Sequence, residues 1–284
     1  MKFCLVNFYT EGTPHDGGKP MKESAKRFVD AVTPFFDRHF EFTPRICREM
    51  FKESSPYIDD YSNWLSNHSR IDELVRFNPT WAKVGFNSWK SLIVKKVLES
   101  SDMDEGDILF YHDTDIEKYP KYMLNANEWK EAAIEILRRL DCDIFAPSGL
   151  PLYKDVKAYA IRKHLKPFSQ FETGVWNGLI ILRKSKTSLK FIDEWYRMCS
   201  DMDLISPLPN PSPFPGHIWH SVDQSVMGVL AAKWRETGEL PEKWPMFLGG
   251  DRSFGLKTLE KEYTPPSFLN KITQYAILML KKKY

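Results

Sequence analysis

The stretch Ile108-Leu109-Phe110-Tyr111-His112-Asp113-Thr114-Asp115 decides how the rest of the chain reads. Its apolar run follows the turn-forming Asp104-Glu105-Gly106-Asp107, which predicts a short buried strand over Ile108 to Tyr111. The polar segment 112–117 (HDTDIE) then caps the strand's carboxyl end. In open α/β sheets, ligands bind beyond the carboxyl ends of the strands. Two carboxylates that leave such a strand one residue apart can face a hard cation from a single turn. Mg²⁺ or Mn²⁺ suits that arrangement, because both prefer oxygen ligands and keep several from water or substrate phosphate. An isolated Asp-x-Asp also arises as a solvated turn, so the surrounding pattern must carry the decision.

Outward from this strand, apolar runs alternate with amphipathic helical patterns, which predicts an α/β sheet covered by helices. Upstream, Lys2 to Tyr9 reads as a mostly buried strand, followed by a Gly/Pro loop over 11–20. Ala25, Phe28, Val29, Val32 and Phe36 then share a helical face, and Phe40 to Thr43 reads as a second strand. Residues 52–80 are polar, aromatic and irregular. A helix carries Trp89, Leu92, Ile93, Val97 and Leu98 into the turn before Ile108.

Downstream, the spacing predicts a helix through Trp129 to Leu140, a strand over Asp143 to Ala146 and another over Gly178 to Leu182. A helix with Leu189, Ile192, Trp195, Tyr196 and Cys199 on its inner side follows. Prolines at 207, 209, 211, 213 and 215 exclude helix or central strand and predict an extended surface loop. Ser221 to Trp234 reads as helix, 241–266 as loop, and Phe268 to Tyr284 as a basic, apolar helix.

With 284 residues, 42% of them hydrophobic, the chain can bury one large core. No composition break divides it, so residues 1–284 are expected to form a single domain. Forty basic against 38 acidic residues leave a net charge of +2, too balanced to point to nucleic acid. Aromatic residues make up 14%, which suits sugar-facing surfaces as well as core filling. Cys4, Cys47, Cys142 and Cys199 show no CxxC spacing and read as buried, reduced thiols of a cytoplasmic protein. The apolar run at the N-terminus is too short for a secretory signal, and no apolar stretch is long enough to span a membrane.

The Asp113-Thr114-Asp115 motif resembles the Asp-x-Asp of A-type-fold glycosyltransferases, in which it ends a central strand after an N-terminal nucleotide-binding half. Three later segments are similar to that family in the same order. They are Trp176-Asn177-Gly178-Leu179-Ile180-Ile181-Leu182, Leu182-Arg183-Lys184-Ser185 with Phe191-Ile192-Asp193-Glu194-Trp195, and His220-Ser221-Val222-Asp223-Gln224-Ser225. The stretch from Gly85 to Asp115 is similar to bacterial capsule and large-DNA-virus members. The likeness covers about residues 1–235 and lacks the family's C-terminal His-x-x-Gly metal-ligand motif.

This resemblance implies a single domain with a mixed, mostly parallel sheet flanked by helices. Residues 1–117 would form a Rossmann-like nucleotide-sugar-binding half and 118–267 the acceptor half, followed by the helix 268–284. It implies metal-dependent transfer of a sugar from a nucleotide-diphosphate sugar, a uridine diphosphate sugar by preference, to a glycan or other hydroxyl acceptor. Asp115 would bind Mn²⁺ or Mg²⁺ directly, and Asp113 would bind it through water or hold the donor ribose. Tyr9 and Thr10 would approach the nucleotide, as would Thr114 beside the metal.

Lys90, Asn177, Gly178 and Arg252 would line the donor, while Glu172, Trp176, Gln224 and His220 would face sugar or acceptor. Asp223, at a helix start that favours its ionised form, is the candidate general base. Each of these has a structural alternative: a surface lysine for Lys90, a buried indole for Trp176, a helix cap for Asp223. The C-terminal helix is expected to dock on the domain, with adsorption to an anionic membrane as its alternative use.

Two other readings compete. Haloacid-dehalogenase-type phosphatases also use a strand followed by Asp-x-Asp, but they place it on the first core strand and follow it with Thr or Val where this chain has Glu117. The second is a glycan-binding protein of the same fold without catalysis.

Overall fold

Strand β1 (Phe3–Phe8) is buried at every position, as a central strand covered on both faces must be. The structure is a computed structural model. It describes residues 1–9, 21–43, 45–47, 87–114, 126–207, 212–241, 244–245 and 262–263. Helix α1 (Lys22–Val32) leads to β2 (Arg38–Phe42), which pairs parallel with β1. Helix α2 (Trp89–Glu99) leads to β3 (Ile108–His112), parallel to β1 on its other side. The turn into β3 is fixed by Asp107, whose buried carboxylate accepts from the backbone N–H of Lys2 (2.6 Å) and of Asp104 (2.8 Å). Burial alone would raise the Asp107 carboxyl, but those two N–H groups and the Lys2 ammonium hold it below its ordinary value. Gly106, at φ 86°, takes the left-handed step of this turn.

Helix α3 (Ala126–Leu140) and strand β4 (Ile144–Phe145) come next. Strand β5 (Ser148–Pro151) is followed by a single turn, α4 (Leu152–Asp155), and by α5 (Ala158–His164). Strand β6 (Thr173–Val175) pairs antiparallel with β5 in a small separate sheet, and β7 (Leu179–Arg183) returns to the main one. That main sheet has the order β2-β1-β3-β7-β4, with β7 antiparallel to both of its neighbours and the other four strands sharing one direction. The protein is thus a mixed α/β fold around a five-stranded, mostly parallel sheet, with helices flanking it.

Helix α6 (Lys186–Cys199) starts at a reciprocal cap: the Ser185 hydroxyl accepts from the Ser188 N–H at 3.2 Å, and the Ser188 hydroxyl accepts from the Ser185 N–H at 3.0 Å. It buries Phe191, Ile192 and Trp195 against α2 and α8 (Val222–Glu236), and a short α7 (Met202–Ile205) lies between α6 and α8. The Phe191 and Trp234 rings meet edge to face at 5.0 Å.

The described structure differs from the sequence expectation in two places. The β5–α4–α5–β6 excursion has no clear periodic signal, because its elements are three to seven residues long. The expected loop 241–266 contains a two-residue ladder between β8 (Trp244–Pro245) and β9 (Glu262–Tyr263). Just beyond the prolines, the N–H groups of Ile218 and Trp219 donate to the Lys154 carbonyl at 2.9 and 3.2 Å. The expected C-terminal helix over 268–284 lies outside the described residues, and no described helix is long and apolar enough to cross a membrane.

Candidate functional site

Because β1 and β3 are parallel, Tyr9 and Asp113 leave the sheet at the same edge. Strand β7 runs the other way, so its leading residues Asn177 and Gly178 arrive at that edge too. The Asp113 N–H donates to the Gly178 carbonyl at 2.9 Å. The Thr114 hydroxyl donates to the Phe8 carbonyl at 3.2 Å, and the Ser24 hydroxyl donates to the Thr114 carbonyl at 3.0 Å. The first turns of α2 and α8 complete the cluster with Lys90 and Asp223.

Lys90 sits at its centre, only 4% exposed. Its Nζ lies 3.1 Å from Asp113 Oδ1, 3.5 Å from Asp223 Oδ2, and 3.3 Å from both the carbonyl oxygen and Oδ1 of Asn177. The ammonium also lies 4.9 Å from the centre of the Tyr111 ring. Asn177 Nδ2 donates to Asp223 Oδ2 at 2.6 Å, and the Tyr111 hydroxyl donates to Asp113 Oδ1 at 2.6 Å. Burial favours the neutral amine of Lys90, but the Asp113 and Asp223 carboxylates outweigh it and raise the pKa above the ordinary lysine value. Burial likewise pushes the Asp223 carboxyl up, against the pull of Lys90, Asn177 and Asn87.

The two acids face different ways. The Asp113 side chain is 35% exposed, whereas that of Asp223 is 2% exposed beneath it. The backbone around Asp223 is strained. Val222 has φ 42° and Asn87, a hydrogen-bond partner of Asp223, has φ 62°. A β-branched residue at positive φ is held there only when its surroundings over-determine it. Gly178 leaves the room in which Trp176 packs: a Cβ there would stand 2.4 Å from Trp176 Cζ2 and 3.0 Å from Asp113 Oδ2. The Trp176 indole therefore lies across Gly178, next to Asp113.

Other expected site residues are placed elsewhere. The Tyr9 hydroxyl donates to Glu41 Oε1 at 2.8 Å, which turns the ring onto β2. Gln224 Nε2 donates to Asp155 Oδ2 at 3.0 Å, and the Ser221 hydroxyl donates to Asp155 Oδ1. His220 accepts the Lys157 N–H at Nδ1 (3.2 Å) and meets the Leu204 carbonyl through Nε2 (3.1 Å), which fixes a neutral ring carrying its proton on Nε2. Burial, then the Lys157 charge, holds the His220 pKa well below the ordinary value. Glu172 lies at the opposite end of β6 from Asn177, its carbonyl accepting from the Leu152 N–H at 2.9 Å. The cap of α8 is Ser221, so Asp223 belongs to the first turn and is not the cap itself. Thr10, Asp115 and Arg252 lie outside the described residues.

Tyr111, Asn87 and Asp155 were not among the expected residues. Tyr111 had a signal, since residues two apart on a strand share a face and Tyr111 stands two before Asp113. Asn87 meets Asp223 only through the tertiary fold and had none, and neither had Asp155, which gathers Ser221 and Gln224 beside the cluster. Among the described residues, no group of three or more His, Cys, Asp and Glu side chains gathers as a metal site.

Lys157 is fully buried, its ammonium donating to the Ser206 carbonyl at 2.6 Å. Burial lowers its pKa to about 8, partly opposed by Asp203 and Asp201. A lysine whose folded pKa is depressed costs stability below that pKa, and the cost fades as pH rises toward the unfolded value. Lys157→Met should therefore raise the melting temperature at pH 7, a gain on the order of 1–3 kcal/mol that shrinks above pH 8. Thermal denaturation across that range checks the sign, and a gain that grows with pH would refute it.

Comparison with protein-family models, with curated proteins and with solved structures gave no match for this chain.

Proposed function

We propose that the chain is a nucleotide-sugar glycosyltransferase of the A-type fold that uses Mn²⁺ or Mg²⁺ and transfers a sugar to a glycan hydroxyl. The observation that carries this reading is the position of Asp113. It leaves the central strand at the sheet edge where β1, β7, α2 and α8 converge, with its side chain partly open to solvent. The haloacid-dehalogenase reading fits less well, because Asp113 follows the third of the described strands and borders an antiparallel neighbour.

The donor set suits a hard divalent cation, since Asp113 supplies carboxylate oxygens and Asp115 follows it by two residues. Such a cation, when bound, would screen the donor diphosphate and stabilise the departing nucleoside diphosphate. The chain's own residues prepare the place. Tyr111 and Lys90 both bond Asp113 Oδ1, which fixes the carboxylate's rotation and turns Oδ2 toward Gly178 and Trp176. Lys90 thus orients Asp113 from behind and does not reach for phosphate. The Trp176 indole beside that carboxylate offers a flat apolar face to a sugar ring.

With its carboxylate 2% exposed, Asp223 acts through Lys90 and Asn177 as a positioning residue. Asp223→Asn should cut transfer roughly tenfold, about 1.4 kcal/mol, while donor affinity and the shape of the pH–rate profile persist. Loss of the profile's acid limb with a drop of about 10²-fold or more would instead make Asp223 the general base. The overall reading is tested by a thermal-shift screen of nucleotide sugars with and without Mn²⁺, because a ligand that binds only the folded state raises its stability. No metal-dependent shift and no donor hydrolysis with any nucleotide sugar would overturn it.

A further inference from the structure

We infer that the face of α5 carries a binding site for an anionic oligosaccharide, separate from the Asp113 cluster. The inference rests on the glycosyltransferase reading only in naming that ligand an acceptor. Between α5, the turn after it and the proline loop lies an open cavity of about 460 Å³, within the range of small-molecule sites. A second depression of about 330 Å³ adjoins it, and Arg162 lines both.

Three observations set the chemistry. The first is an unused polar group. Gln170 lines the larger cavity at 6% exposure, and its amide makes no hydrogen bond to another described residue. A carbohydrate's adjacent hydroxyls can both give to such an amide and take from it. The second is uncompensated charge. Lys163 is neutralised by Asp201 at 2.8 Å, but the side chains of Arg162 and Lys166 have no acidic partner among the described residues. The Glu236 carboxylate is directed at the Lys166 N–H and the Ser169 hydroxyl instead. The Arg162 guanidinium lies over the Phe214 ring, 5.1 Å from its centre, and its planar fork matches the geometry of a carboxylate.

The third observation is strain. Phe168, which lines the same cavity, has φ 73°, a conformation that a bulky residue rarely adopts. Strain of this kind collects where a side chain is held for a ligand. Phe168 is an apolar wall of the cavity against which a sugar ring can pack, while Phe214 carries Arg162. Two adjoining depressions, aromatic walls, a bare amide and a cationic rim fit consecutive sugar units bearing acid groups better than a glutamate-rich peptide, which brings charge but no flat ring to set against Phe168.

The test titrates the whole chain calorimetrically with a hyaluronan hexasaccharide, neutral cellohexaose and a glutamate hexapeptide, without donor or metal. Omitting both keeps the result independent of transfer, so failure here leaves the transferase reading standing, and failure of that reading leaves this site standing. The hyaluronan fragment should bind, cellohexaose at least tenfold more weakly, and the peptide more weakly still. Arg162→Ala with Lys166→Ala should weaken hyaluronan binding at least tenfold. Both are exposed surface positions, so the fold should persist. Gln170→Leu, which keeps the buried volume, should weaken it severalfold at unchanged melting temperature. Equal binding of the peptide, equal binding of cellohexaose, or undiminished binding by the double variant would each overturn the proposal.

Discussion

Asp115→Asn should remove cation-dependent donor binding and lower sugar transfer by roughly 10²- to 10⁴-fold. That range corresponds to the several kcal/mol of charge stabilisation that a bound divalent cation supplies at a departing diphosphate. The substitution keeps the side chain's size and removes one formal charge, so the loss would report electrostatics more than shape. Asp113→Asn should have a similar but smaller effect, because Asp113 Oδ1 is already engaged by Tyr111 and Lys90 and only part of the carboxylate faces outward. Transfer assays with Mn²⁺, and again with EDTA, measure both variants. Full activity of Asp115→Asn, or wild-type activity that EDTA leaves untouched, would remove the metal from the proposal.

Lys90→Met should be the most destabilising single change at the site. It deletes the cation between Asp113, Asp223 and the two Asn177 oxygens and strands a buried carboxylate at Asp223. Breaking a buried pair from one side costs about 3–5 kcal/mol, because the remaining charge stays desolvated. At about 2–4 °C per kcal/mol for a domain of this size class, the melting temperature should fall by on the order of 10 °C. Combining Lys90→Met with Asp223→Asn should recover much of the loss, since no formal charge is then stranded. The direction with pH follows from Lys90. Its folded pKa is raised, so its contribution is present below the ordinary lysine value and is lost as pH climbs through the folded one. A drop below about 1 kcal/mol, or no rescue by the second substitution, would show that the ion pair does not hold this corner of the fold.

The α/β class was legible because long periodic elements carry their own signal. The five apolar residues of Phe3–Phe8 and the helical stripes of α2, α6 and α8 can bury their apolar faces in only a few ways. The strand ending at His112, with Asp113 just beyond it, was legible for the same reason: an apolar run that stops at polar residues marks a sheet edge. The sequence likewise placed Asn177 and Gly178 at the start of β7.

Local pattern could not say which partner each polar group meets. Lys90 reads as a surface residue of an amphipathic helix, because the carboxylates that bury it lie 23 and 133 residues away in the chain. His220 and Gln224 read as residues facing a ligand, yet the fold turns both onto backbone and acid partners around α4. The cavity beside α5 is invisible in sequence, since Gln170 and Phe214 stand 44 positions apart and meet through the packing of a proline loop on a short helix. Periodicity records which face of an element is apolar, and that is enough to choose strands, helices and the edge that ends in Asp113. The pairing of buried charges depends on distances set by the whole assembled sheet, so only the tertiary structure could make Lys90 the hub of the site and Asp223 its buried counterion.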